Sequence, residues 1–160
     1  MSAPSPVQPL ESTTPPWVHL LVAGTDAALP APPPGFVTRV IEGRRGGTKR
    51  ALLAEFARAL AFPPHFGRTW DALEDCLTDL EWLPAAGYRL VIRAADRLLP
   101  RDPDGYATLL ALLADVGRAW GTAATGHPGR DPVPFHTVLV VPARRLAARP
   151  DWGAPRLTAG

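Results

Sequence analysis

The sequence contains a single cysteine, Cys76, among 160 residues. One thiol closes no internal disulfide and builds no zinc site, so nothing in the chain calls for an oxidising compartment. Long apolar runs are missing as well: no stretch approaches the roughly 18 to 20 uninterrupted apolar residues of a membrane span. The opening residues, Met1 to Leu10, have neither a basic start nor an apolar run, which is not the pattern of a secretory signal. A cytoplasmic protein is expected. His19, His127 and His136 are scattered without a His-x-x-x-His spacing, so no metal site is expected. Gly43, Gly46 and Gly47 surround Arg44 and Arg45, but no Gly-Lys-Ser/Thr follows, which argues against a phosphate loop. Internal repeats are absent, and no cofactor is implied.

What is present suits one folded domain. Apolar residues make up 46% and charged residues 20%, enough to build a core in a chain of this length. Of the 20 prolines, nine fall in residues 1 to 34. Proline removes backbone donors and favours extended chain, so residues 1–35 read as a flexible leader. Within it, the apolar run Trp17 to Val22 between Pro16 and Gly24 is a possible strand over residues 17–23.

The compact part is expected over residues 36–141. Val37, Val40 and Ile41 mark a strand ended by Gly43, and Gly46-Gly47 a turn. Thr48 is a suitable N-cap for a helix reaching Leu60, with Leu52, Leu53, Phe56 and Leu60 at helical spacing. Phe62 to Gly67 reads as a loop. Thr69 caps a second helix, expected to end near Pro84. Tyr88 to Ile92 reads as a strand, Pro103 to Trp120 as a third helix, Gly121 to Pro134 as a polar loop, and Phe135 to Val141 as the last strand. Strands alternating with helices predict an α/β fold, a three-stranded parallel sheet packed with helices and possibly extended by the N-terminal strand. Residues 142–160, with Arg144, Arg145, Arg149 and Arg156, read as a basic flexible tail.

The formal charge of +2 is mildly basic, but the charges are unevenly placed. From Trp70 to Tyr88 there are five acidic residues and no basic one. On a helix turning about 100° per residue, Leu73, Cys76, Leu77 and Leu80 share one arc, and Asp71, Glu74, Asp75, Thr78 and Asp79 share the other. Cys76 is therefore expected to be a buried, inert thiol. Asp71, Asp75 and Asp79 stand four residues apart, and each such like-charge pair destabilises a helix by a few tenths of a kcal/mol. A solvated face usually mixes signs. One without lysine or arginine suits a basic partner.

The ungapped run from His65 to Thr78, HFGRTWDALEDCLT, resembles the signature of the barstar family of ribonuclease inhibitors. The shared pattern is an aromatic pair, a glycine, a helix cap, then Asp-Ala-Leu and Asp-Cys-Leu-Thr. The resemblance implies a small barstar-like α/β domain over residues 36–141. It also implies a protein that blocks a barnase-type (guanyl-specific) ribonuclease rather than an enzyme. In such inhibitors this helix and the loop before it enter a nuclease cleft lined with Arg, Lys and His. Asp75 then stands where an RNA phosphate would, Asp71 pairs with another cation, and His65, Glu74 and Asp79 complete the partner-binding set. A carboxylate accepts paired hydrogen bonds from a guanidinium much as phosphate does. Four positions depart from the family: Glu74 replaces a tryptophan, His65 a tyrosine, and Asp79 with Leu80 a glycine and a tryptophan. Asp115 lies near the family's further acidic contact on the last helix.

Other readings are open at this stage. The same acidic face would serve a barstar-fold interaction module that binds another basic protein. Trp82 could be either core or an exposed anchor. The cluster Arg39, Arg44, Arg45, Lys49 and Arg50 supports a rival reading of direct nucleic-acid contact, but no RNA-binding motif or interleaved aromatic accompanies it, so no direct nucleic-acid partner is expected.

Overall fold

The computed structural model describes residues 8–23, 29, 31–123 and 131–157. Four strands, β1 (Val18–Ala23), β2 (Phe36–Glu42), β3 (Gly87–Arg93) and β4 (Phe135–Pro142), form one parallel sheet in the order β1-β4-β3-β2. The expected three-stranded core is therefore extended by the N-terminal strand, which pairs with β4 from Val18↔Thr137 to Ala23↔Pro142. Parallel neighbours require crossover connections. Helices α1 (Lys49–Leu60) and α2 (Trp70–Asp79) join β2 to β3, and α3 (Pro103–Gly121) joins β3 to β4. The loop expected from Gly121 to Pro134 lies partly outside the described residues.

Successive strand residues point to opposite sides of the sheet. Leu20, Ile41, Leu90, Ile92 and Leu139 turn to one side and join Leu53, Phe56, Leu77 and Leu113 of the helices in the main core. Leu21 and Val138 turn to the other side, where Leu10 and Leu157 cover them. His19 and His136 are buried. The Nε2–H of His136 donates to the Ser12 carbonyl (2.8 Å), which leaves its Nδ1 to accept from Nε2 of His19 (2.9 Å). Burial disfavours the charged form of both rings, against the backbone hydrogen bonds that favour it at His136. Among the described residues no group of three or more His, Cys, Asp or Glu could hold a metal ion.

Described residues at both ends of the chain, which the sequence reads as flexible leader and tail, pack against the domain. Leu10 is fully buried, and Trp17 lies against Gly117 and Gly121 of α3, where a β-carbon would collide with its ring. Trp152 is buried, its indole donates to the Leu146 carbonyl (2.9 Å), and its own carbonyl accepts from Tyr106 (2.7 Å). The segment then runs along the outer edge of β1: Leu20 N–H donates to Pro155 and Leu157 N–H to Leu20. Covering an exposed strand edge in this way removes a site for unwanted pairing. Residues 1–7 and 158–160 lie outside the described residues.

Candidate functional site

The loop before α2 is shaped by its own aromatics. After α1, Ala61 takes a left-handed conformation (φ 52°), and Phe62 and Phe66 then meet edge to face at 5.0 Å. Phe66 N–H closes a turn onto the Pro63 carbonyl (3.0 Å). Trp82 packs across Phe62 and donates its indole N–H to the Leu60 carbonyl (2.8 Å). It is half-buried and clamps this loop while also lining the cleft beside α2, so it is neither a fully buried core residue nor a freely exposed anchor.

Thr69 caps α2 as expected, its hydroxyl accepting from Ala72 N–H (3.0 Å). The helix is shorter than expected. Leu80 adopts a left-handed conformation (φ 49°) and returns its N–H to the Cys76 carbonyl, ending α2 at Asp79 rather than near Pro84. Leu73, Leu77 and Leu80 are buried. Trp120 of α3 donates its indole N–H to the Leu77 carbonyl (2.8 Å), a group in the last turn that has no partner within the helix. That bond fixes α2 on α3 and leaves the acidic arc outward.

Asp71 and Asp75 are exposed, and neither forms an ion pair among the described residues. His65 is exposed, and Asp79 and Glu74 are half-buried. His65, Asp75 and Asp79 line one cleft of about 230 Å³, together with Pro63, Phe66, Gly67, Ala72, Cys76 and Trp82. Asp71 and Glu74 lie outside it. Glu74 faces the α3 side: burial first, then Asp115, Asp75 and Asp71, raise its carboxyl above the usual range. Asp115, paired to Arg118 at 3.0 Å, thus adds its field to the acidic face.

Cys76 corrects the sequence reading. It is half-buried, not core, and lines the same cleft as Asp75 and Asp79. Burial, then Asp79 and Asp75, push its thiol up, so it stays protonated and unreactive near neutrality. Periodicity placed it on the apolar arc, but it stands at that arc's edge. Glu55 was missed altogether. It is buried, accepts from Glu42 N–H (2.8 Å) and from Arg58 (2.7 Å), and so ties α1 to the end of β2. A carboxylate inside the apolar stripe Leu52-Leu53-Phe56 was the available signal.

Among the described residues no helix is long and apolar enough to cross a membrane. A comparison with curated proteins returned no match. A family model described as Barstar (barnase inhibitor) matches residues 36–140, which span β2 through most of β4 and include α2 with its loop. On that match over well more than half its length, the chain belongs to the barstar family.

Proposed function

We propose that the chain inhibits a basic, barnase-type ribonuclease by seating α2 and its preceding loop in the nuclease cleft. Asp75 takes the place of a substrate phosphate, and Asp71 pairs with a second cation at the rim. His65 and Asp79 flank the cleft beside Asp75, while Glu74 and Asp115 extend the negative field. The protein acts by occupying a site, without catalysis of its own. With one cysteine it suits the reducing cytoplasm.

The observation that carries this reading is the meeting of His65, Asp75 and Asp79 on one cleft, beside an exposed helix face without a single cation. Carboxylates presented this way meet guanidinium groups with paired hydrogen bonds. A field of one sign also speeds encounter with an oppositely charged partner. The test is steady-state cleavage of a short RNA by a barnase-type ribonuclease at rising concentrations of this protein. Inhibition competitive with RNA is expected. Non-competitive inhibition would place contact outside the phosphate site. No inhibition by protein shown to be folded would leave the acidic face to some other basic protein.

A further inference from the structure

The carboxyl ends of β2, β3 and β4 lie along one edge of the parallel sheet, and the loops that leave them pack together. Leu99 N–H donates to the Gly46 carbonyl (3.1 Å), and Arg149 donates to the Leu98 carbonyl. A side chain at Gly43 would strike the carbonyls of Arg93 and Ala94. Residues 43–48, 94–101 and 143–149 together hold seven arginines and one acid, Asp96.

The carboxylates here are sunk and the guanidinium groups stand out. Asp96, 4% exposed, holds Arg145 at 3.3 Å and Arg97 at 3.6 Å. Glu55, 2% exposed, holds Arg58 at 2.7 Å and Arg45 at 3.9 Å. Those four arginines remain 47% to 65% exposed. Glu42, whose N–H is bonded to Glu55, holds Arg93 at 3.5 Å. Arg44 and Arg144 are exposed beside them.

We propose that this edge is a second binding surface, which takes the phosphodiester backbone of a nucleic acid. An arginine tethered from below has lost side-chain freedom already and still directs N–H groups outward, where a planar fork matches phosphate. The three loops contain no aromatic residue on which bases could stack, so contact is to phosphate and independent of sequence. Of their large apolar residues Leu98 and Leu99 are fully buried and Leu146 is half-buried against the core, so the surface has little to insert into a lipid bilayer. None of these three loops lines the cleft beside α2.

The experiment is fluorescence anisotropy of the full chain with a labelled single-stranded RNA of about 20 nucleotides at about 50 mM salt. Binding is expected, with log K falling against log salt at a slope near −3 if about four phosphates are neutralised. Arg44→Gln with Arg144→Gln breaks no ion pair described above, so the fold should survive. That double variant is expected to weaken binding about tenfold and to flatten the slope by about 1.4. Adding Arg97→Gln and Arg145→Gln should abolish binding. Asp75→Ala should leave it unchanged, which separates this surface from nuclease inhibition. Absence of RNA binding would overturn the proposal. So would equal affinity in the Arg44/Arg144 variant, or tighter binding to phosphatidylserine vesicles than to RNA.

Discussion

The exposed face of α2 and the carboxyl edge of the sheet use the same charged groups in opposite ways. On α2, Asp71 and Asp75 stand in solvent with no cation on their own segment. At the sheet edge, Glu55 and Asp96 are buried and the arginines they anchor face out. A formal charge of +2 therefore conceals two poles. Which sign reaches solvent is decided by which partner is buried, and composition alone is silent on that.

The largest expected effect lies at the acidic pole. Asp75→Ala should weaken inhibition by about 2–5 kcal/mol, roughly thirty-fold to several thousand-fold in affinity, as expected when one partner of a buried charge pair is removed. Calorimetric titration of the ribonuclease measures it, and a change below threefold would break the assignment of poles. Next comes Glu55→Ala, which strips the anchor from Arg45, Arg58 and the Glu42 amide. A loss of about 2 kcal/mol is expected, visible in urea unfolding, because the Glu42 amide and Arg58 lose their hydrogen bonds to the carboxylate.

Acid should loosen the frame that holds both poles. Burial, then His136, lowers the His19 imidazole from 6.5 to about 4, and burial first lowers His136 too. Between these values the unfolded chain binds protons that the folded chain refuses, so stability falls as pH drops from about 6.5 toward 4. The loss is on the order of 2–3 kcal/mol. Arg58, then the Glu42 amide, hold the Glu55 carboxyl below its usual range, so its contribution is lost in the same direction, through the carboxylate range. Thermal unfolding across pH 4 to 7 would show a flat profile if the His19–His136 pair were not buried neutral. The smallest effect is kinetic. Association with the nuclease should slow several-fold between about 50 and 500 mM salt, and rates indifferent to salt would remove steering from the account.

Much of this was legible in the sequence because it is written locally. Thr48 and Thr69 announce their helices through a hydroxyl and an amide three residues apart. The stripe on α1 marks its buried face, and the near-continuous apolar run along β4 marks a strand covered on both sides. The His65–Thr78 motif supplies His65 and Asp75 of the cleft. What was hidden depends on distant partners. β1 becomes a strand only through β4, and the tail packs only because Tyr106, Leu20 and Leu146 receive it. The early end of α2 rests on Leu80 entering a left-handed conformation that no glycine advertises. Trp82 then clamps the loop while lining the cleft, and Cys76 reaches the same cleft. Such choices belong to tertiary packing, which overrides helical periodicity at its margins.

The most direct test of the central claim compares three proteins in one inhibition assay: the parent, Asp75→Ala, and Arg44→Ala with Arg45→Ala. The account predicts strong inhibition by the parent, loss of at least thirty-fold with Asp75→Ala, and less than a threefold change at the basic edge. Equal losses in the two variants, or full inhibition by Asp75→Ala, would contradict it.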